Sequence, residues 1–210
     1  MNKFKNQDIG YGNIRISNLK LEDLDSYLKI EFDAFFEKLK FIFSNKKNAA
    51  FGIIRSEIAK NIGTGRYYNA KIDDRIVGII EIVSRENIES HIKEFHNYFK
   101  YLGFHRAVKA FILTAIEIPK LDNRTIYIDN VAVDPNNRRQ GIAKKMLSFA
   151  EDFSKRNGKN ALKLWVAAGN KNAYRLYKKF GFTELARRSS GIAERYMGYR
   201  DWIYMKKEIL

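Results

Sequence analysis

The segment that most constrains the fold is Val131–Leu147, with the sequence VAVDPNNRRQGIAKKML. A short apolar strand ends in a polar turn, and a helical pattern begins directly after a glycine. A second apolar run, ALKLWVAA, follows that helix. A strand, a helix of about four turns and another strand form a βαβ unit, whose strands are parallel and joined by a right-handed crossover. The segment therefore predicts an α/β protein with a parallel strand pair.

The rest of the chain alternates strand and helix patterns without internal repeats or interdomain linkers, so we expect one mixed α/β domain over residues 1–210. Two strand-like runs around Asp73 and Asp74 predict a hairpin. Strand patterns cover 13–18, the two halves of 66–83, 126–133, 161–168 and 200–209. Helical patterns cover 19–43, 48–62, 141–156 and 172–180, together with a helical pair within 89–118.

Composition excludes several kinds of function. With 210 residues and 45% hydrophobic residues the chain can bury one sizeable core, and with no cysteine it has no disulfide, thiolate nucleophile or cysteine zinc site. No apolar run is long enough to span a bilayer, and the first residues lack the apolar core of a signal peptide. We therefore expect a cytoplasmic protein that does not act at a membrane.

The formal net charge of +15 is large for a chain of this size. Such a charge suits a nucleic acid, an anionic membrane surface or a phosphorylated ligand, since each offers dense negative charge. Lysines scattered over a solvated surface would explain the same net charge without any such ligand. Charge alone does not choose between these readings.

The start of the helix after Gly141 is suited to bind an anion. The first NH groups of a helix have no partner within it, and the helix dipole makes that end partly positive. Gly141 lets a bulky anion approach without a Cβ in the way, while Arg138, Arg139, Lys144 and Lys145 add charge. A phosphate or diphosphate is the expected ligand, although neither G-x-x-x-x-G-K-[ST] nor G-x-G-x-x-G is present at this position.

Two motifs connect this loop to a known family. The first is R-x-x-G-x-A, formed by Arg138, Gly141 and Ala143 directly after the strand. The second runs from Asn170 to Phe182 and reads N-x-x-A-x-x-L-Y-x-x-x-G-F. With these motifs and its order of elements, nearly the whole chain resembles the GNAT superfamily of acetyl-CoA-dependent N-acetyltransferases.

The resemblance implies a fold, a cofactor and a reaction. The fold is a mixed, mostly antiparallel twisted sheet with two splayed parallel central strands, 126–133 and 161–167, flanked by helices. The reaction is direct transfer of the acetyl group of acetyl-CoA to a primary amine in a ternary complex. The pantetheine arm would lie between the two strands, with the diphosphate on the loop. The implied cofactor contacts are Val131, Val133, Arg138, Arg139, Gly141, Ile142, Ala143, Lys144, Asn170 and Tyr177.

Three residues are candidates for the chemistry. The resemblance assigns Tyr177 as the proton donor to the departing thiolate, although its ring also lies on the apolar face of an amphipathic helix. Asp129 and then Glu81 are candidates for the general base, because each places a carboxylate in a mostly apolar strand. Neighbouring carboxylates would raise the pKa of one of them. Both could instead face water at a sheet edge, and a water chain could replace the base.

The helical insertion at about 86–123 departs from the family pattern, in which a short turn joins these strands. Its aromatic residues could line the acceptor pocket, contact a second subunit in a homodimer, or bury the inserted helices. The three histidines, His91, His96 and His105, all fall in this segment. Because the first two are five residues apart and do not share a helical face, we expect no metal site.

Two alternatives to an acetyltransferase remain open at the level of sequence. A nucleic-acid-binding module would use the basic charge and the segment YRLYKKF, although we expect this less than an amine acceptor. A catalytically silent protein that only binds acetyl-CoA would carry the same loop. The acceptor itself, whether small molecule or peptide, is not marked by any motif.

Overall fold

The computed structural model describes residues 9–43, 46–85, 102–105, 107, 122–191, 194 and 199–209. Within them, eight strands form a single sheet in the order β1-β2-β3-β4-β5-β6-β8-β7. The strands are β1 Ile9–Tyr11, β2 Ile14–Asn18, β3 Tyr67–Ile72, β4 Arg75–Val83, β5 Thr125–Val133, β6 Ala161–Ala167, β7 Thr183–Ser189 and β8 Asp201–Glu208.

One pair of neighbouring strands in the described sheet, β5 and β6, is parallel, and all other neighbours are antiparallel. The parallel ladder joins three residue pairs, from Thr125–Ala161 to Tyr127–Lys163, where both strands begin. Both strands continue beyond the ladder without pairing to each other. The predicted sheet with two splayed parallel central strands is therefore confirmed.

Helices cover both faces of the sheet. The four α-helices of the described chain are α1 Leu24–Ile42, α2 Lys47–Lys60, α3 Ile142–Arg156 and α4 Lys171–Lys179. On one face, α3 contributes Phe149 and Phe153, whose rings contact Tyr68 of β3. On the other face, α1 and α2 form a second core, in which Tyr27 contacts Tyr67 edge to face. Each fully buried large apolar side chain contributes about 1.5–3 kcal/mol.

The β3–β4 hairpin and its packing follow from local sequence. Asp73 and Asp74 occupy the turn with positive φ values of 46° and 62°, a conformation that Asp tolerates better than most residues. Further along β4, a Cβ on Gly78 would lie 3.0 Å from Met146 and 3.1 Å from Ile142. Glycine thus allows α3 to approach the sheet closely.

Most sequence-based elements are confirmed, and two strands were missed. The missed strands are β1, which has only three residues, and β7, whose side chains are mostly exposed. The helical pair predicted within 89–118 lies outside the described residues, apart from 102–105 and Ala107. Among the helices that the structure describes, none has the length and apolar character needed to cross a bilayer.

Candidate functional site

The sequence motifs converge at one end of the parallel pair. Because β5 and β6 are parallel, their carboxyl ends lie at the same edge of the sheet, where open α/β sheets bind ligands. The Arg138–Gly141 loop follows β5, and the helix carrying Tyr177 follows β6 after Asn170. The predicted cofactor residues of both motifs thus lie at the edge of the sheet where β5 and β6 no longer pair, which we call the opening.

The loop after β5 is fixed by its own polar residues. The Asp134 side chain accepts a hydrogen bond from the Asn136 NH at 2.8 Å, which starts the turn. The Arg138 guanidinium donates to the Val133 carbonyl at 3.2 Å and holds the loop against the end of the strand. Gly141 then adopts a left-handed conformation with φ of 78°. These contacts within the chain therefore shape the loop.

The NH groups at the start of α3 have the arrangement that the predicted anion cradle requires. The Lys145 NH donates to the Gly141 carbonyl at 3.0 Å, so the NH groups of Ile142, Ala143 and Lys144 precede that helical hydrogen bond. A Cβ built on Gly141 would meet no atom within 4 Å apart from those of Gly141 and its two chain neighbours, which leaves space above the backbone. This arrangement fits a phosphate group.

Basic side chains divide into two groups around the cradle. Arg138, Arg139 and Lys144 are exposed beside the loop, as a contribution to anion binding requires. Lys145 is used differently, because its ammonium group donates to the Tyr11 carbonyl at 2.9 Å and anchors β1 to α3. Of these four side chains, three can approach a bound anion.

Asn170 and Tyr177 belong to α4, the helix that follows β6 at the opening, with Asn170 as its N-cap. The Asn170 side-chain oxygen accepts from the Ala173 NH at 3.1 Å and caps α4, which leaves its amide nitrogen to contact a cofactor. The Tyr177 ring packs 5.7 Å from the Phe182 ring, and burial raises the pKa of its phenol to about 12. Tyr177 therefore keeps its proton at neutral pH.

The candidate bases, Asp129 and Glu81, occupy different environments. Glu81 pairs with Asn130 across the β4–β5 ladder, while Ile82 pairs with Ile128, so Asp129 forms a β-bulge. Asp129 is exposed, whereas Glu81 is buried. The bulge lies two residues before Val131, one of the predicted backbone contacts of the cofactor.

Glu81 is held by two protein groups. Its Oε1 accepts from the Arg66 Nε at 2.6 Å and lies 2.5 Å from the Arg66 Nη2. Its Oε2 accepts from the Asn130 amide at 2.8 Å. Arg66 is itself only 1% exposed, and Glu57 lies 3.6 Å from the same guanidinium. In this structure Glu81 joins β4 to β5, and its role as a base stays a prediction.

This buried pair leads to a stability prediction. We expect Glu81→Ala to lower the free energy of unfolding by about 3–5 kcal/mol, because it removes the main partner of a buried guanidinium. Denaturant titration measures the loss. The control is Asp25→Ala, which removes an exposed pair with Arg55 and should cost less than about 1 kcal/mol. Similar losses in the two variants would contradict a structural role for the Arg66–Glu81 pair.

Sequence reasoning missed a third acidic residue, Glu31 of α1. Glu31 is 7% exposed, and its Oε2 has no hydrogen-bond partner. Burial, followed by the charges of Glu81, Glu57 and Asp129, raises the pKa of Glu31 well above its usual range. The sequence does contain a signal for the burial of Glu31, because Glu31 continues at helical spacing the stripe formed by Leu24 and Tyr27, which are both buried.

The histidines do not enter this site in the described part of the chain. His105 is exposed and its ring contacts Phe104, while His91 and His96 lie outside the described residues. The described side chains include no cluster of three or more His, Asp or Glu residues suited to a metal ion.

Comparison with known proteins agrees with this geometry. An uncharacterized N-acetyltransferase of Methanocaldococcus jannaschii is 37% identical over 57 residues, which cover 27% of this chain and 25% of that protein. The [ribosomal protein bS18]-alanine N-acetyltransferase of Escherichia coli is 35% identical over 89 residues, covering 40% of this chain and 57% of the enzyme. The chain thus spans less than two thirds of either relative.

Similarity of fold extends over nearly the whole chain. The structure of yncA from Salmonella typhimurium, solved with its cofactor acetyl-CoA, superposes with a TM-score of 0.60 at 14% identity and covers 95% of both chains. The model of the Acetyltransferase (GNAT) family matches residues 28–182. Since this match includes β5, the anion cradle, β6 and α4, the chain belongs to the GNAT acetyltransferase family.

Proposed function

We propose that this chain, acting as one domain over residues 1–210, transfers the acetyl group of acetyl-CoA directly to a primary amine in a ternary complex. The observation that carries the proposal is the anion cradle at Gly141, which opens beside the splayed ends of β5 and β6. Tyr177 lies on the helix that follows the second of these strands. A phosphate site, a gap between two strands and a proton donor are what a CoA thioester requires.

The cofactor would be held mainly by backbone groups. The diphosphate binds the NH groups of Ile142, Ala143 and Lys144, with Arg138 and Arg139 adding positive charge. The pantetheine arm enters between β5 and β6 and contacts Asn170. Backbone groups of β5 near Val131 and Val133 bind the arm and polarise the thioester carbonyl, as an oxyanion hole does.

The reaction needs no covalent enzyme intermediate. An ammonium group first loses a proton, and the neutral amine then attacks the thioester carbon to form a C–N bond and a tetrahedral oxyanion. The oxyanion collapses, the C–S bond breaks and the nitrogen loses a second proton. Tyr177 donates a proton to the departing thiolate and is reprotonated by solvent. The products of the overall reaction are the N-acetylated amine, free CoA and one proton.

Asp129 is the stronger candidate for the group that receives the amine proton. It is exposed at the bulge and lies close in sequence to the proposed thioester contact at Val131. Glu81 is held in the ion pair with Arg66, so as a base it acts on the amine at a distance or through a water molecule. A water chain that ends at Asp129 serves the same purpose.

Initial-rate kinetics test the proposed transfer. Release of free CoA thiol is followed while acetyl-CoA and an amine are varied together, on a panel of small primary amines and peptides with free amino termini. Peptides belong on the panel because the Escherichia coli relative is named for acetylating an alanine of a ribosomal protein. We expect amine-dependent thiol release with intersecting double-reciprocal lines. Parallel lines would contradict direct transfer, and binding of acetyl-CoA without turnover would indicate a silent cofactor-binding protein.

A further inference from the structure

A chain of polar side chains joins the start of β3 to β4 and β5 at the bulge. Arg66, which precedes β3, donates through its Nε to the Glu81 Oε1 at 2.6 Å. The Glu81 Oε2 accepts from the Asn130 amide at 2.8 Å. Arg66 and Glu81 are buried, and Asn130 is half-buried. We call these three side chains the register lock, because the Asn130–Glu81 pair lies where the register of the β4–β5 ladder changes.

The bulge shifts β5 by one residue against β4. Asn130 pairs with Glu81 and Ile128 pairs with Ile82, so Asp129 is the extra residue. A shift of one residue exchanges the positions that turn toward the neighbouring strand with those that turn away from it. The place of the bulge therefore decides which backbone groups of the following residues face β4.

Backbone hydrogen bonds show how β5 is oriented after the bulge. The Asp134 NH donates to the Val77 carbonyl at 3.0 Å. This bond continues the register that pairs Val133 with Gly78. In an antiparallel ladder, pairs that exchange hydrogen bonds alternate with pairs that do not. The NH groups of Val131 and Val133 therefore point away from β4, toward the side on which β5 and β6 separate.

A one-residue slip of β5 would undo this orientation. It would place Val131 opposite Ile79, whose backbone groups face β5, so the Val131 NH would bind β4 and no longer face the opening. The slip would also move the Asn130 amide away from the Oε2 of Glu81. That movement is unfavourable, because a buried carboxylate oxygen would lose its donor. The register lock thus holds the bulge at one place in the ladder.

We infer that the register lock positions the NH groups of Val131 and Val133 for the thioester of acetyl-CoA, with Asn130 as the positioning residue. The inference rests on the proposed function, which supplies the ligand. Asn130 acts through the backbone that follows it, since its side-chain amide is engaged by Glu81. NH groups stabilise a developing oxyanion only when they are correctly placed. Loss of the lock should therefore affect polarisation of the thioester more than affinity for the cofactor.

Infrared spectroscopy of bound acetyl-CoA, isotopically labelled at the acetyl carbonyl, tests the inference without an acceptor amine. Hydrogen bonds from NH groups polarise the carbonyl and lower its stretching wavenumber. We expect this shift in the wild type and less than about half of it in Asn130→Leu, which removes the donor at similar side-chain size. The matched control is Asn123→Leu, at an exposed asparagine that accepts from Arg85 at 3.2 Å. This control should keep the full shift.

Kinetics and binding separate a positioning role from a loss of structure. With an amine that serves as acceptor, Asn130→Leu should lower kcat about 10-fold to 100-fold and leave KM for the amine within about threefold. Its affinity for acetyl-CoA should also stay within about threefold, because the diphosphate binds at the cradle. A general loss of structure would instead weaken acetyl-CoA binding together with kcat. Thermal unfolding checks that each variant is folded under the assay conditions.

Asn130→Asp is a second variant with a different signature. At about pH 8 the new carboxylate repels that of Glu81, so the infrared shift should be reduced as in Asn130→Leu. Toward about pH 5 the two carboxylates share a proton, the hydrogen bond is restored, and at least about half of the lost shift should return. Asn130→Leu should show no such recovery. The other titratable groups around Glu81 are the same in both variants, namely Glu31, Glu57, Arg66, Tyr27, Tyr67 and Asp129.

Three results would overturn the inference while leaving the proposed function intact. They are an unshifted carbonyl band in the wild type with acetyl-CoA bound, a full shift in Asn130→Leu, and no recovery of the shift in Asn130→Asp at low pH. Failure of the wild type to bind acetyl-CoA would overturn the proposed function and the inference together.

Discussion

Gly141→Val is expected to lower the affinity for acetyl-CoA by on the order of 100-fold or more, which corresponds to about 2.7 kcal/mol. In the structure, no atom apart from those of Gly141 and its two chain neighbours lies within 4 Å of the position that a Cβ on Gly141 would take, so the branched side chain fills the space proposed for the diphosphate. Valine is also strained at the φ of 78° found there, which shifts the NH groups of the cradle. Calorimetry with acetyl-CoA measures the loss.

Gly158→Val is the matched control for this variant. Gly158 follows the other end of α3, has φ of 65° and also has no atom within 4 Å of an added Cβ. It therefore carries similar backbone strain, about 1–2 kcal/mol of stability, without touching the cradle. We expect Gly158→Val to bind acetyl-CoA as the wild type does. Equal affinity in Gly141→Val and the wild type would contradict the assignment of the loop.

Tyr177→Phe is expected to lower kcat by about 10² to 10⁴ while leaving the affinity for acetyl-CoA nearly unchanged. Phenylalanine keeps the contact with Phe182 but removes the proton that the departing thiolate needs. Since burial raises the pKa of Tyr177 to about 12, its phenol stays protonated throughout the neutral range. The rate of the wild type should therefore not fall through ionisation of Tyr177 below about pH 12.

The control for Tyr177→Phe is Tyr174→Phe, on the same helix. The Tyr174 hydroxyl donates to Glu184 of β7, so its removal affects a contact between α4 and the sheet edge. We expect a kcat close to that of the wild type. If Tyr177→Phe turned over as fast as Tyr174→Phe, the Tyr177 ring would be a packing element and another group would protonate the thiolate.

Much of the fold could be predicted because its central elements carry local signals. The apolar run of β5, the Asp-Pro turn, the glycine before α3 and the Asn170 cap are each visible in a short window of sequence. β7 has no such signal, since TELARRS is mostly exposed and its extended form depends on pairing with β8. Tertiary pairing, rather than local propensity, determines that strand.

The candidate site was predictable where it depends on backbone and unpredictable where it depends on distant side chains. The cradle at Gly141 follows from a helix start, which is a local feature. The pairing of Glu81 with Arg66 joins residues 15 apart across a hairpin, whereas sequence reasoning considered Glu81 only as a possible neighbour of Asp129. Glu31 lies 50 residues before Glu81, so only the folded sheet brings them together.

The most direct test of the account is calorimetric titration of the wild-type protein with acetyl-CoA, beside dephospho-CoA and over a series of salt concentrations. The proposed function predicts saturable, one-to-one binding in the micromolar range, which justifies a search for the acceptor amine. An absence of binding heat at high protein concentration would contradict the cofactor assignment. The basic chain would then be tested for salt-dependent binding of nucleic acid.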